Sequence, residues 1–462
     1  MTGPTTDDGT AAARQARSGS EASGAGAAGL EAGGDPVSGR PDTGDPGGVE
    51  APGAGLGPAE PRLGSPAPSR MDLRRAEAPW LRNHAATVGV VGRTLGAFAL
   101  SRLVVAVGLG SVLVVNQGLA THHFNGPWPT VPKASLFLQA LGSWDGSWYL
   151  LIAGHGYFPP TTQFPIAPGS AFGFFPVWPI LLRGVSDATG LTPIVVGVAL
   201  AFVFGAAASV ALWYLVRHLC DEVVAYRAVV LWVFFPGAVV LSMVYSEALA
   251  VLLCAVSLLA LLKGRWLVAG CAAGVATGVH PEALVLVACS LWAAGVAVRR
   301  DRDLWSLAAP ALSLAGVAAY FLYLWNATGD VLRWYHVERD QWGGTGFYHD
   351  TVFVLRQSVA HPHDLEAVVP ALGLVFALVG LYLMARWRPP VIIWIYTVGI
   401  LLSAFDSNMV GARPRVLLTA FPLIVAVARR VRPAAFGMVA AASGFLLATM
   451  TFLVFSLVLV AP

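Results

Sequence analysis

Residues 192–216 read TPIVVGVALAFVFGAAASVALWYLV and contain no charged side chain. A helix needs about 20 apolar residues to cross the hydrocarbon core of a bilayer, so this run is long enough to span it. The whole chain has the same character, since 56% of its 462 residues are hydrophobic, 12% are charged and the mean hydropathy is +0.66. Soluble domains carry roughly 25% charged residues. The sequence therefore predicts an all-α polytopic membrane protein.

Apolar segments of helix length recur through the rest of the chain. We predict about eleven transmembrane helices, and two long outer loops at about 117–191 and 326–365 that are rich in aromatic residues. Loops of that length are commonly functional. The eleven segments are 94–116, 192–216, 225–241, 246–262, 266–280, 282–298, 304–325, 366–385, 390–405, 415–428 and 434–460.

Arginine and lysine gather at the ends of alternate segments, and basic residues mark the cytoplasmic side of a membrane protein. This pattern predicts a multi-pass plasma-membrane protein whose N-terminus is cytoplasmic and whose active site is extracytoplasmic. The net charge of +3 does not support a nucleic-acid partner. The basic residues are Arg74, Arg75, Arg82, Arg93, Arg217, Arg227, Lys263, Arg265, Arg299, Arg300, Arg302, Arg386, Arg388, Arg429, Arg430 and Arg432.

Residues 1–78 differ from the rest, because they are rich in Gly, Ala and Pro and nearly free of aromatic residues. Such a segment buries too little apolar surface to offset its chain entropy. We expect residues 1–78 to be a disordered cytoplasmic tail and residues 79–462 to form the membrane domain.

The first outer loop contains an unusual motif. Residues 143–157 read SWDGSWYLLIAGHGY and residues 172–183 read FGFFPVWPILLR. Phe-Pro-Gly at 235–237, Tyr-Ser-Glu at 245–247 and RPRVLLTAFPL at 413–423 follow in order. Over about residues 90–430 the chain resembles the PIG-V family of integral-membrane mannosyltransferases.

The resemblance implies a GT-C-type fold, a polyprenyl-phosphate sugar as donor, and an acidic residue of the first outer loop as catalytic base. The matching position is Asp145. Its chemistry agrees, because a carboxylate can take the proton of a sugar hydroxyl as that hydroxyl attacks the anomeric carbon. The alternative role of Asp145 is to cap the helix that follows it.

A lipid phosphate leaving group needs positive charge beside it. Arg415 and Arg413 are the best candidates, since they open a helix at the outer face, and Arg183, Arg333 and His280 are weaker ones. For Arg413 and Arg415 the alternative is contact with lipid headgroups. Relatives often carry a Thr-Arg pair where this chain has Val279-His280, which weakens the expectation for His280.

Other residues are candidates for contact with the acceptor or the sugar, because aromatic faces stack on sugars and carboxylates bind hydroxyls. Anchoring at the membrane interface is the alternative for the aromatic ones. Arg102, inside the first span, either pairs with a carboxylate or approaches the donor phosphate. The acceptor or sugar candidates are Trp144, Trp148, Tyr149, Tyr245, Glu247 and Trp342.

No metal or cofactor is expected. Asp301-Arg302-Asp303 has the D-x-D form of nucleotide-sugar transferases, but the predicted topology puts it in the cytoplasm. A lipid-linked donor is therefore favoured over a nucleotide sugar, with membrane lipids and a glycolipid, glycan or protein acceptor as partners. The predicted function is inverting transfer of mannose from polyprenyl-phosphate mannose. Transfer of arabinose or glucose, a lipid-sugar flippase and a non-catalytic scaffold are the alternatives.

Overall fold

The computed structural model describes residues 70–115, 135–160, 167, 169–341, 349–405 and 413–456. Every regular secondary-structure element within those ranges is a helix, and none is a β-strand. The all-α prediction is confirmed. The tail predicted over residues 1–78 lies, up to residue 69, outside the described residues, and the first helix begins at Arg70.

Eighteen α-helices are named here in chain order, and four short 3-10 turns lie between them at Ser170–Gly173, Pro236–Ser242, Pro281–Leu284 and Leu304–Leu307. The α-helices are α1 Arg70–Val115, α2 Leu136–Leu141, α3 Asp145–His155, α4 Val177–Thr189, α5 Pro193–Leu219, α6 Glu222–Val233, α7 Glu247–Leu262, α8 Trp266–Val279, α9 Val285–Asp301, α10 Ala308–Ser313, α11 Ala315–Thr328, α12 Arg333–Gln341, α13 His349–Ala360, α14 Leu365–Trp387, α15 Val391–Phe405, α16 Pro414–Thr419, α17 Phe421–Arg430 and α18 Pro433–Phe455.

Several of these helices can cross a bilayer. Five are long and apolar enough by themselves: Val88–Val115, Pro193–Leu219, Pro281–Asp301, Leu365–Trp387 and Pro433–Phe455. The number rises to seven if each of two bent helix pairs counts as one span, and three shorter apolar helices accompany them. The chain is thus a multi-pass membrane protein. The count of eleven crossings and the orientation of the termini stay predictions.

The segment predicted as one span over residues 225–241 is broken. Helix α6 ends at Val233, and the 3-10 turn Pro236–Ser242 leaves it at an angle of 75°. Pro236 explains the break, because proline lacks a backbone N–H and its ring clashes with the preceding helical turn. The break leaves backbone carbonyls without helical partners inside the apolar region.

Arg102 of α1 fills this gap. Its guanidinium donates hydrogen bonds to the carbonyl oxygens of Ala238 (2.6 Å) and Val233 (3.2 Å) and to the hydroxyl of Ser242 (2.9 Å). The residue is only 7% exposed. A charge at membrane depth is costly unless it is paired, and here its partners are backbone carbonyls. Arg102 therefore binds the broken helix, with no carboxylate among these partners.

The 3-10 turn also carries the close contact that sets the position of α16. A Cβ atom added to Gly237 would lie 2.1 Å from the carbonyl oxygen of Pro414 and 2.7 Å from the nitrogen of Arg415. Only glycine allows the two backbones to approach so closely. At the other end of the turn, the Val244 amide donates to the Leu141 carbonyl at 2.9 Å. The turn thus joins α16 to the start of the first outer loop.

We expect Gly237→Ala to destabilise the fold by about 1–3 kcal/mol or more, because the new methyl group meets backbone that cannot rotate away. The melting temperature in detergent measures the loss. Gly437→Ala is the matched control, since a Cβ there meets nothing within 4 Å and alanine is favoured over glycine inside a helix. Equal melting temperatures for the two variants would contradict the packing described here.

Candidate active site

The turn before α3 sets the direction of the predicted base. Trp144 has a φ of 58° and a ψ of −130°, a conformation that residues with a side chain rarely adopt. Such backbone strain persists only where the surroundings enforce it, and it is common at active sites. Asp145 follows as the first residue of α3, and no side chain caps this helix. The capping role considered for Asp145 is therefore not the one the structure gives it.

The carboxylate of Asp145 forms an ion pair with Arg415. Its Oδ2 atom accepts a hydrogen bond from Nη1 of Arg415, and the two side chains are 29% and 15% exposed, respectively. Tyr245 joins them, because the Asp145 amide donates to its hydroxyl at 3.2 Å and the Arg415 guanidinium carbon lies 5.8 Å from its ring centroid. The predicted base, a predicted phosphate ligand and a predicted sugar ligand thus meet at one place.

Arg413, the second predicted phosphate ligand, lies just before α16. Its guanidinium forms an ion pair with Glu366 of α14 at 3.3 Å, and both side chains are less than one-third exposed. Two cations therefore stand two residues apart at the start of α16, each facing a carboxylate from another segment. Two positive charges therefore lie close together, and each is neutralised by a carboxylate.

Glu247 and His280 lie close to the ion pair. Glu247 opens α7 and is 4% exposed, and Arg415 and His280 both act electrostatically on its carboxyl group. The Oε2 atom of Glu247 and the Nδ1 atom of His280 are both buried without a hydrogen-bond partner among the described residues. Buried polar atoms in native proteins are nearly always hydrogen-bonded, so these two atoms require an explanation.

The aromatic candidates of the first outer loop are largely packed. Trp148 stacks on Phe174 with centroids 5.5 Å apart, and Tyr149 meets the same ring edge-on at 5.3 Å. The Tyr149 hydroxyl hydrogen-bonds Ser246 at 3.0 Å, and Trp144 is buried in the hydrophobic core. These positions favour a role in holding α3 against α7. Trp342 lies outside the described residues.

Two weaker candidates are placed away from the ion pair. Arg183 is mostly exposed on α4, where it faces Asp187 of the same helix at 3.8 Å. The guanidinium of Arg333 lies beside Gly169. Of the five cations considered for the donor phosphate, Arg415 contacts Asp145 directly and His280 acts on the adjacent Glu247.

Glu338 of α12 was missed by the sequence analysis. The helix is anchored by the Trp334 indole, which donates to the Gly173 carbonyl at 3.2 Å, and by Val337, which is buried. Burial raises the pKa of the Glu338 carboxyl to about 7, with the negative charge of Asp145 adding to the increase and Arg415 opposing it. Helix α12 thus brings another carboxyl within electrostatic reach of Asp145. The signal available in the sequence was an acidic residue in a helical segment that also contains Trp334 and Tyr335.

Within the described residues no group of three or more His, Cys, Asp or Glu side chains is placed to hold a metal ion. Asp303 of the D-x-D sequence accepts hydrogen bonds from the Trp266 indole at 2.7 Å and from the Trp305 amide at 3.0 Å. It therefore serves to close the connection between α9 and the next turn. Independence from metals and cofactors stays a prediction.

A comparison with known proteins supports the resemblance to this family over part of the chain. The sequence model of the mannosyltransferase (PIG-V) family matches residues 130–300. The predicted resemblance is confirmed over this segment. It includes Asp145, Tyr245, Glu247 and His280, whereas Arg413 and Arg415 lie beyond it.

A solved structure, ArnT from Cupriavidus metallidurans bound to undecaprenyl phosphate, is similar with a TM-score of 0.46 and 15% sequence identity. The alignment covers 75% of this chain and 62% of that one. No curated protein matches the sequence.

The raised pKa of Glu338 predicts a pH-dependent stability. The folded protein keeps a proton on this carboxyl up to about pH 7, whereas the unfolded chain releases it near the ordinary value of 4.5. The contribution of Glu338 is therefore full below pH 4.5 and is lost as the pH rises through about 7, by up to about 3 kcal/mol. Melting temperatures between pH 5 and pH 8 should fall more steeply for wild type than for Glu338→Gln.

Asp340→Asn is the matched control for this measurement. Asp340 lies on the same helix, is exposed, and its pKa is lowered by a hydrogen bond from Arg339. Its contribution changes only at more acidic pH, so the Asn variant should keep the wild-type slope. Parallel slopes for wild type and Glu338→Gln would refute the assigned burial.

Proposed function

We propose that this chain is an inverting, membrane-embedded glycosyltransferase of the GT-C type. It takes mannose from polyprenyl-phosphate mannose and transfers it to a glycolipid, glycan or protein acceptor on the extracytoplasmic face of the plasma membrane. The proposal rests on the contact between Asp145 and Arg415. It brings the proposed base and an anion-binding side chain together at the start of α3, the helix that contains the first motif. The family match over residues 130–300 supports it.

In the proposed reaction the acceptor hydroxyl attacks the anomeric carbon of the donor sugar. The new carbon–oxygen bond forms as the bond to the phosphate oxygen breaks, so polyprenyl phosphate leaves with the bonding electrons. Asp145 takes the proton of the hydroxyl as it attacks. Arg415 stabilises the charge that grows on the departing phosphate. Attack opposite the leaving group inverts the anomeric carbon.

The ion pair gives this reaction an order. Without substrate, Arg415 neutralises the charge of Asp145 and donates a hydrogen bond to its Oδ2 atom. A phosphate offers Arg415 a bidentate anionic partner of its own. Donor binding therefore draws Arg415 toward the phosphate and frees the Oδ2 atom of Asp145 to accept the proton of the attacking hydroxyl.

Tyr245 is suited to assist, because its hydroxyl oxygen already accepts the amide hydrogen of Asp145 at 3.2 Å. A tyrosine hydroxyl has one hydrogen to donate. In the proposed complex that hydrogen goes to an oxygen of the donor, so Tyr245 fixes the donor relative to the base. No metal or cofactor takes part in the proposed chemistry.

Replacement of Asp145 by Asn should reduce the rate of transfer by about 10²–10⁴-fold, because the amide cannot accept the proton. Binding of polyprenyl phosphate should be retained or become tighter, since Arg415 no longer has a competing carboxylate. Purified protein supplied with radiolabelled polyprenyl-phosphate sugars measures both rate and sugar preference. Asp187→Asn, which removes an exposed carboxylate of α4, is the control.

The same assay separates the alternatives. Transfer from an arabinose or glucose donor but not from mannose would keep the enzyme class and change the sugar. Undiminished transfer by Asp145→Asn would remove the proposed base, and no transfer of any sugar by wild type would favour a flippase or a scaffold.

We expect Arg415→Ala to raise the donor KM and to slow transfer, because both the bound phosphate and the departing phosphate lose their cation. The affinity for sugar-free polyprenyl phosphate, measured by calorimetry in detergent, should fall by at least about tenfold. Arg300→Ala removes an exposed arginine of α9 and should bind like wild type. If Arg415→Ala binds the lipid phosphate like wild type, the phosphate lies elsewhere.

A further inference from the structure

A buried pair of polar atoms lies beside the proposed reaction centre and has no role in the reaction as described. Oε2 of Glu247 and Nδ1 of His280 have no hydrogen-bond partner among the described residues, and Glu247 is 4% exposed. Leaving a buried polar group without a partner destabilises a protein, and more so if the group is charged. Two such atoms on neighbouring helices indicate a place built for a polar ligand.

The two residues lie at the same end of a packed helix pair, because α7 and α8 are joined by a short connection and run in opposite directions. Glu247 begins α7, and His280 follows the last residue of α8. Arg415 and His280 both act electrostatically on Glu247, and Arg415 has the larger effect. Glu247 also follows Tyr245 and Ser246, which contact Asp145 and Tyr149. The unpartnered atoms therefore belong to the same neighbourhood as the ion pair.

Glu282 supplies an internal contrast. It lies two residues after His280, in the same 3-10 turn, yet its Oε2 accepts a hydrogen bond from the Thr419 hydroxyl of α16 at 2.9 Å. The turn is thus tied to the helix that carries Arg415. The Glu282 carboxylate thus has a hydrogen-bond partner within the protein, whereas Oε2 of Glu247 has none among the described residues.

The chemistry of the pair distinguishes between ligands. A carboxylate repels a phosphate, so Glu247 cannot share the anion held by Arg415. A sugar hydroxyl both donates and accepts hydrogen bonds, and it fits a carboxylate oxygen beside an imidazole nitrogen. The sugar of the donor is joined directly to the phosphate that Arg415 is proposed to bind. Its hydroxyls therefore fall within reach of Glu247, on which Arg415 acts electrostatically.

We propose that Glu247 and His280 bind hydroxyl groups of the sugar on the lipid-linked donor, which moves His280 from the phosphate to the sugar. This inference rests on the proposed function. It assigns the selection of the sugar to a carboxylate and an imidazole at the ends of α7 and α8, apart from the base and the phosphate ligand.

The test compares polyprenyl-phosphate mannose with its four monodeoxy analogues. A site that hydrogen-bonds a hydroxyl strongly rejects a substrate that lacks it, so wild type should lose at least about tenfold in kcat/KM with one or two analogues. Glu247→Gln and His280→Ala should be slower with mannose but should show little further loss with the analogue that lacks the contacted hydroxyl. Their affinity for sugar-free polyprenyl phosphate should be no lower than that of wild type.

Glu282→Gln is the matched control, and it should keep the wild-type penalty for every analogue whatever its absolute rate. Equal slowing of Glu247→Gln and His280→Ala with all donors would show a structural role and overturn the inference. So would a loss of affinity for the sugar-free lipid phosphate. Failure of wild type to transfer any sugar would overturn the proposed function first, and that result is separate from either of the others.

Discussion

An ion pair between Asp145 and Arg415 joins residues that are 270 positions apart in the chain. It forms only if three connections hold at once. The turn at Trp144 must point Asp145 toward α16, Gly237 must let α16 approach the broken helix, and Tyr245 must contact both Asp145 and Arg415. The largest part of the hydrophobic core surrounds these connections. The packing of the helices therefore holds the Asp145 carboxylate and the Arg415 guanidinium within hydrogen-bonding distance of each other.

Ion pairing also explains how several charged side chains can lie close together around Asp145 and Arg415. Opposite charges in a poorly hydrated place stabilise each other, whereas a single one would be costly. Asp145 with Arg415 and Glu366 with Arg413 both follow this rule. Glu247 and Glu338 depart from it, since the structure gives neither an ion-pair partner among the described residues. The departures mark the two carboxyl groups whose behaviour should respond most to a ligand or to pH.

Much of the fold was predictable because long apolar runs separated by basic residues leave few alternatives. The run at 192–216 became α5 at Pro193–Leu219, and the run at 434–460 corresponds to α18 at Pro433–Phe455. The break in the span at 225–241 was not predicted, although Pro236 is visible in the sequence. A proline can begin a helix as well as break one, and Arg102, which stabilises the break, comes from another helix.

The site divides in the same way. Asp145, Tyr245, Glu247 and Arg415 were identified from motifs, but motifs carry no information about which of them touch. Glu338 was missed because its proximity to Asp145 depends on how α12 packs against residues that are remote in the sequence. Arg183 was included for its charge and its position in the motif, yet it faces Asp187 on an exposed helix surface. Contacts between remote segments are the part of a site that a single sequence reveals least.

The Arg102 side chain has a consequence for the membrane itself. An unwound backbone inside a bilayer offers a row of carbonyl oxygens that water could follow, and water files conduct protons. Arg102 occupies the oxygens of Val233, Ala238 and Ser242 with its own N–H groups, and it carries a fixed positive charge that repels a hydrated proton. The break that brings the backbone of the turn against α16 therefore leaves the carbonyl oxygens of Val233 and Ala238 paired with Arg102 instead of open to water.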